Sequence, residues 1–583
     1  MSSTSRSYVI DSLKGLAIIA VIFFHIGLLT FGYLGVEIFL VLAGFLTAKS
    51  IIRAFEENKF SYWKFIQNRL VRLWPLAIII CVVSLVLGYF VMLPDNFKNL
   101  SETVLGTLSF TNNFIQYITA RNYWDVSNDY KPLMHTWYVG ILFQFYVVYP
   151  LLLVLMHRFT KQWKRSSIIL STCIGFASLI LYLLPFIPQP IDFFMLPSRM
   201  FEFMLGAVIA FLPYSDNEKS CINKKIIAAI AILSLILATG FDIDQAKIIL
   251  ILTVALTGWI LYKTSQTTDV STGWNIQWLV KIGAASYSIY LWHQVVFAFY
   301  RNTISDSFSL WEYVGLISGS IILGFLSFLF VEKPLSSFIK SQKHAKRIIL
   351  LCCVVSTTFL GYISYKIYVH KGVVRDIPAL EIYKDKPETW EPQAYNANVY
   401  NYDIDFPSNG KKNILIVGDS YARDWYNILC EAHVNSRMNL SYHDQQDSIL
   451  NDRIKYADYV FLASSKDMSL FFKYLPKMMR KQFYIIGTKR FFYSPGVIYN
   501  SSPKQVEIYD DIVETNKAYA EEFQDSYIDI MAALKTKDDM CLIVTPDNKL
   551  ISHDGIHLTK AGAKYIASKL NVDTYFDKDA SNK

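Results

Sequence analysis

Apolar residues dominate the chain from Val9 to about Tyr368, in runs long enough to cross a bilayer; beyond that the pattern turns mixed and polar. A helix rises ~1.5 Å per residue, so about 20 apolar residues span a hydrocarbon core. Eleven candidate spans follow in order: 9–29, 31–50, 74–93, 137–156, 167–185, 198–213, 226–240, 246–262, 279–299, 310–331 and 347–368. Residues 370–411 then carry Pro378, Pro387, Pro392 and Pro407 without clear periodicity, and read as a linker. From Asn413–Val417 the apolar runs shorten to buried-strand length, recurring at Tyr459–Ala463 and Phe483–Ile486. Helical stretches such as 505–523 and 558–570 lie among them. Strands alternating with helices predict a three-layer α/β domain with a parallel sheet.

Composition agrees with a membrane protein. Of 583 residues, 53% are apolar and 15% aromatic, and the mean hydropathy is +0.28. The net charge of +8 does not point to nucleic acid, because most of the excess lies in short loops between apolar runs. Lys and Arg crowd the segments 49–72, 158–165, 219–225, 263 and 333–347, while the alternate loops carry only Lys98, Arg121, Lys131, Lys247 and Arg301. The positive-inside rule then places the N-terminus in the cytoplasm. An odd number of spans puts the polar C-terminal domain outside. The first run is too long for a cleavable signal peptide and lacks a small-residue cleavage site after it. Seven cysteines are scattered; only Cys430 and Cys541 fall in the polar domain, where a bond between them stays open. No metal site is expected, since no Cys/His cluster has ligand spacing.

The first run carries Asp11, Lys14 and His25. Ionisable residues inside such a segment are costly and mark a site or a partner. At ~100° per residue, Lys14 and His25 fall within about 20° of one face, three turns apart. Either that face serves chemistry, or Asp11 and Lys14 snorkel and His25 is a bonded core histidine. Arg69 and Arg72 lie on the inner side, where guanidinium forks suit phosphates or simply anchor the chain. Glu37, Arg199 and Glu202 sit near outer helix ends, as ion pairs or substrate contacts. His293 lies toward the outer end of its span.

In the polar domain, Gly418-Asp419-Ser420 follows the first strand, and Asp554-Gly555-Ile556-His557 comes near the end. A serine at a strand-to-helix turn sits near helix N–H groups that favour developing negative charge. A histidine oriented by an aspartate can take its proton. Trp390, Tyr421 and Trp425 are candidates for stacking on sugars, or ordinary packing residues.

These motifs carry two resemblances. The membrane half resembles the acyltransferase-3 family through Asp11–Ala17 with His25, Gly35–Leu40 with Gly44-Phe45, Arg69-Leu70-Val71-Arg72, Ser286–His293 and Val331–Pro334. Arg199, Glu202 and Gly206 fit the family's sixth helix. The polar domain resembles SGNH hydrolases in its two blocks. Together they imply a multi-span α-helical membrane domain, about ten helices over 1–340, and a linking helix at 341–369. A linker at 370–411 and an α/β SGNH-like domain at 412–583 would follow. The implied activity is O-acylation in a bacterial inner membrane: an acetyl group from cytoplasmic acetyl-CoA passes to a hydroxyl of an extracytoplasmic glycan. Acetyl-CoA would be the donor, no cofactor would be permanently bound, and the partners would be the glycan and the bilayer. Lys14, Arg69 and Arg72 would hold the donor and His25 would be the base. Glu37, Arg199, Glu202 and His293 would meet substrate. Ser420 would be the nucleophile, with His557 and Asp554. The chain departs from these patterns at several places. The Gly-x-Asn oxyanion block is missing, with Ala463-Ser464-Ser465 in its place. Tyr421 stands where histidine is frequent, Leu142 and Phe143 replace a Glu pair, and Gln294 and Val295 replace Trp and Pro. Two other readings use the same residues differently: a deacetylase acting through the C-terminal domain alone, or a transporter with an outer receptor domain.

The predicted topology is tested by a protease or cysteine-labelling map of intact cells, which should find residues beyond 370 reachable from outside.

Overall fold

The structure is a computed structural model that describes residues 8–119, 128–186, 188–212, 246–265, 277–305, 307–342, 344–391, 393–464, 471, 473–492, 494–501 and 503–576. It forms two compact units: Met1–Arg301 with Ser307–Val369, and Asn302–Asp306 with His370–Lys583.

In the first unit, eight helices among the described residues are long and apolar enough to cross a membrane. Four of them are needed below: α1 (Tyr8–His25), α2 (Gly35–Glu56), α3 (Tyr62–Val91) and α4 (Trp137–Phe159). The span expected at 198–213 is a helix of 16 residues, α5 (Leu196–Phe211), which is not among the eight. The expected span at 226–240 lies outside the described residues. The one expected at 279–299 is two helices, α6 (Gln277–Ala284) and α7 (Ser286–Thr303). They break at Ala285, whose N–H reaches the carbonyls of both Lys281 and Ile282. Helices at Pro94–Leu108 and Asn112–Thr119 were not among the expected spans. Large apolar side chains, among them Phe90, Phe176, Trp311 and Phe330, are exposed, while Glu37, Arg199 and Glu202 are buried. That inversion suits a helix bundle surrounded by hydrocarbon.

Helices α2 and α5 touch backbone to backbone. A Cβ on Gly44 would stand 2.0 Å from the Phe203 carbonyl oxygen, and one on Gly206 would stand 2.0 Å from that of Val41. Glycine at both positions allows this approach, and it brings the first turns of the two helices, with Glu37 and Arg199, into contact.

The second unit contains a five-stranded parallel sheet in the order β2-β1-β3-β4-β6. Its strands are β1 (Asn413–Gly418), β2 (Asn439–His443), β3 (Tyr459–Ala463), β4 (Gln482–Ile486) and β6 (Tyr527–Ile528). A separate antiparallel pair joins β5 (Gln505–Val506) to β7 (Cys541–Leu542). Side chains alternate between two cores. Ile414 and Ile416 pack with Trp425, Tyr442 and Phe461, and Leu415 and Val417 with Leu450, Val460 and Leu462. Both faces are covered, which is why β1 reads as a continuous apolar run. Residues 370–411, expected as a linker, are folded against this unit: Val399 and Asn396 are buried, and the Ala379 carbonyl accepts the Leu550 N–H at 2.7 Å. Cys430 and Cys541 are both thiols.

Replacing Gly206 by Val should force α2 and α5 apart at a cost of about 1–3 kcal/mol. A lowered melting temperature of the detergent-solubilised chain would show it.

Candidate active site

The cationic residues of the first unit converge. Lys14 of α1 and Arg69 and Arg72 of α3 line one cavity, together with Tyr138, Tyr287 and Tyr290. Arg69 and Arg72 are three residues apart on one helix and therefore share a face. The Arg69 guanidinium lies 4.7 Å from the ring centres of Phe65 and Tyr146. Lys14 also meets the buried Asp11 carboxylate at 3.2 Å, so this charge is held in the bundle rather than extended to an interface.

Three histidines gather beside that cavity. The His25 and His293 rings are 5.1 Å apart between centroids, and His293 and His135 are 5.0 Å apart. Tyr290 belongs to both places: it lines the cavity and lies 5.1 Å from the His135 ring and 5.4 Å from that of His293. Its hydroxyl donates to the His135 carbonyl at 2.6 Å. His293 Nδ1–H donates to the Tyr290 carbonyl at 2.6 Å, which leaves Nε2 as its basic nitrogen.

Glu37, Arg199 and Glu202 form a different group. Arg199 Nη2 binds both Glu37 oxygens, and Nη1 lies 3.3 Å from Glu202. All three side chains are buried, and none lines the cavity. His293, expected with them, stands instead with His25.

In the second unit, α8 (Ser420–Glu431) follows β1 directly. The turn requires Gly418, whose φ is +129° and whose Cβ would meet the Ala463 carbonyl at 1.8 Å. Asp419 caps α8, accepting the Tyr421 N–H at 3.0 Å and the Ser464 hydroxyl at 3.1 Å. The neighbours of β1 are β2 on one side and β3 on the other, so the carboxyl ends of β1 and β3 border a topological switch point, where α/β sheets bind ligands. Ser420 sits there, buried, and its Oγ has no hydrogen-bond partner among the described residues.

His557 Nδ1–H donates to Asp554 Oδ2 at 2.5 Å. Burial pushes the Asp554 carboxyl upward, but His553, His557 and backbone N–H groups outweigh it and hold the pKa well below the usual carboxylate range. The carboxylate is therefore an anion that fixes the ring and its tautomer.

A buried ion pair joins the serine helix to the histidine loop. Asp424 of α8 meets Lys489 Nζ at 2.7 Å and accepts the Leu558 N–H at 3.2 Å. Lys489 Nζ also donates to the Ile556 carbonyl at 2.6 Å. Burial opposes the lysine charge, yet Asp424, Tyr421 and Asp554 raise its pKa above the ordinary value. Asn396 donates to Asp424 Oδ1 at 2.6 Å and to the Ser420 carbonyl at 3.0 Å.

A family model described as an acyltransferase domain matches residues 7–329. The chain belongs to the acyltransferase-3 family. It is 28% identical over 359 residues to peptidoglycan O-acetyltransferase OatA of Listeria monocytogenes, covering 57% of this chain and 56% of that protein. It is 27% identical over 348 residues to a putative O-acetyltransferase of Staphylococcus aureus and 26% identical over 345 residues to that organism's O-acetyltransferase OatA, covering 56% of each chain in both cases. The match thus spans little more than half the length of these relatives. No solved structure matches.

Set against the family expectations, the structure brings Lys14, Arg69 and Arg72 to one cavity and His25 to His293. It pairs Asp554 with His557. Tyr421 and Trp425 are buried and present no face for a sugar: the Tyr421 hydroxyl donates to the Lys489 carbonyl, and the Lys489 ammonium lies 4.0 Å from its ring centre. Trp390 is half-buried and donates to the Tyr383 carbonyl at 3.0 Å. Sequence reasoning did not single out His135. It missed Asp424 and Lys489, for which a lysine just after a buried strand was the available signal.

Lys489→Met should leave the Asp424 charge buried and unpaired, at a cost of about 3–5 kcal/mol. Urea denaturation of the full chain would read the loss, and Lys489→Met with Asp424→Asn should recover part of it.

Proposed function

We propose that this protein is a membrane O-acyltransferase that moves an acetyl group from cytoplasmic acetyl-CoA to a hydroxyl of a cell-envelope glycan outside. The observation that supports this best is the cavity lined by Lys14, Arg69 and Arg72, with Tyr290 shared between it and the His25–His293–His135 cluster. Three cations in a cavity otherwise lined mainly by aromatic and apolar residues suit a polyanionic donor with a long uncharged arm. The relatives named as O-acetyltransferases fit the same reading.

His25 acts as general base. It takes the proton of the attacking hydroxyl as that oxygen bonds to the thioester carbonyl, and the departing thiolate then takes a proton. The His293 ring packs beside the imidazole and His135 packs against His293. Glu37, Arg199 and Glu202 hold the neighbouring helix pair together. In the second unit Ser420 attacks the ester so formed, and His557 takes the serine proton and gives it to the departing alkoxide, which leaves Ser420 acetylated. Asp554 orients the ring, and the helix N-terminus favours the developing oxyanion. Ser420 then releases the acetyl group to the glycan hydroxyl by the reverse proton path. A hydrolase reading, in which the second unit alone deacetylates sugar, draws on the same Asp554–His557 pair but has no use for the cationic cavity.

Purified chain should consume acetyl-CoA only when a glycan acceptor is present. Arg72→Ala should raise the KM for acetyl-CoA about 10–100-fold, as loss of one charge-assisted contact does. His25→Ala should lower kcat by about 10²–10⁴. Ser420→Ala should abolish glycan acetylation and leave donor binding intact; retained acetylation would remove the serine ester from the route.

A further inference from the structure

Asp554 faces more than the ring of His557. Its Oδ1 takes the N–H groups of Ile556 and His557 at 2.9 and 2.8 Å and the Ser552 hydroxyl at 3.4 Å. That oxygen is committed to the loop. Oδ2 faces two imidazoles, with His557 Nδ1 at 2.5 Å and His553 Nε2 at 3.5 Å. The two rings are 6.1 Å apart between centroids, with 24° between their planes. His553 is 5% exposed, and neither of its ring nitrogens has a hydrogen-bond partner among the described residues. A buried polar ring left in that state is costly. The candidate donor atoms of His553, Asp554 and His557 all lie within 4.8 Å of one another.

We propose that His553 Nε2, Asp554 Oδ2 and His557 Nδ1 form a site for a zinc-type dication, and that the bound ion switches off the serine chemistry. Two imidazole nitrogens and one carboxylate oxygen form a zinc-type donor set, with a fourth tetrahedral position left for water. Donors ~2.0–2.1 Å from a tetrahedral ion stand about 3.3 Å apart. His553 and Asp554 already have that spacing, and His557 and Asp554 open by about 0.8 Å when the ion replaces the proton between them. The Asp554 side chain, 30% exposed, is the way in.

Coordination at Nδ1 moves that nitrogen's proton to Nε2, so the ring stays neutral and no proton is released. A ring protonated at Nε2 has no lone pair there to receive the serine proton. The inhibitory half of the proposal rests on reading Ser420, His557 and Asp554 as a serine-type centre. The binding half does not.

Both halves are read on the full chain in detergent. Co²⁺ replaces zinc as an absorbing probe, and hydrolysis of an aryl acetate reports the serine centre. The wild-type chain should show a tetrahedral Co²⁺ spectrum that His553→Asn weakens by at least the ~10-fold that even an outer-shell change costs. Ser420→Ala should keep the spectrum. Zn²⁺ should inhibit hydrolysis by the wild-type chain, while His553→Asn, with an unchanged melting curve, should keep the uninhibited rate in the same zinc. An equal cobalt spectrum in wild type and His553→Asn overturns the site. A cobalt site whose filling leaves hydrolysis untouched overturns the switch. A chain that binds cobalt as expected but never hydrolyses the ester supports the site and counts instead against the serine reading.

Discussion

Charge held away from water needs a partner, and that requirement decides where the functional residues of this protein can stand. A lone buried ion costs several kcal/mol, and its pair must come from another segment with good geometry. In the first unit, Arg199 lies between Glu37 and Glu202. In the second, Lys489 holds Asp424 and the carbonyl of Ile556 together. Each pair fastens elements that lie far apart along the chain. The Lys489 pair ties the serine-bearing helix to the loop that carries Asp554 and His557. Such pairs are weak as net stabilisers, but breaking one is expensive, so they work as locks on relative position.

The cationic cavity follows a different logic. Lys14, Arg69 and Arg72 gather around open volume rather than around a full set of carboxylates. Asp11 touches Lys14, while aromatic faces lie beside Arg69. A cation against a ring face keeps much of its attraction for an incoming anion, because the ring quadrupole neutralises less charge than a carboxylate does. Charge matched by carboxylates and charge facing a cavity thus separate the structural Arg199 from Arg69 and Arg72, although all three are arginines on helices of the first unit. Tyr290 extends the cavity toward the histidines through ring contacts and hydrogen bonds that involve backbone carbonyls, a join that needs no further charge.

Period and composition made much of the architecture legible. The long apolar runs become helices α1 to α4 with shifted ends, and Asn413–Val417 becomes a buried interior strand because four apolar residues in a row, Ile414 to Val417, suit a sheet covered on both faces. Local motifs were readable where the chemistry is local: Asp554 and His557 are three residues apart and bond directly. Residues 370–411 misled because prolines mark turns whether a segment hangs loose or packs, and here short helical turns bury Val399 and Asn396. Tyr421 and Trp425 misled for the opposite reason. Aromatic residues on an amphipathic helix look the same on its exposed and buried faces until a partner covers one of them.

From its order of residues alone, this chain determined which segments are apolar enough to leave water, where the strand-to-helix turn at Gly418 falls, and which charges lie in the apolar runs. All of that depends on neighbours within a few positions. Tertiary structure decided the partners: Lys489 with Asp424, His135 with His293, Arg199 with Glu37, and the three cations with one cavity. Those pairings join residues far apart along the chain. A buried charge specifies only that some partner must exist, and packing chooses which one.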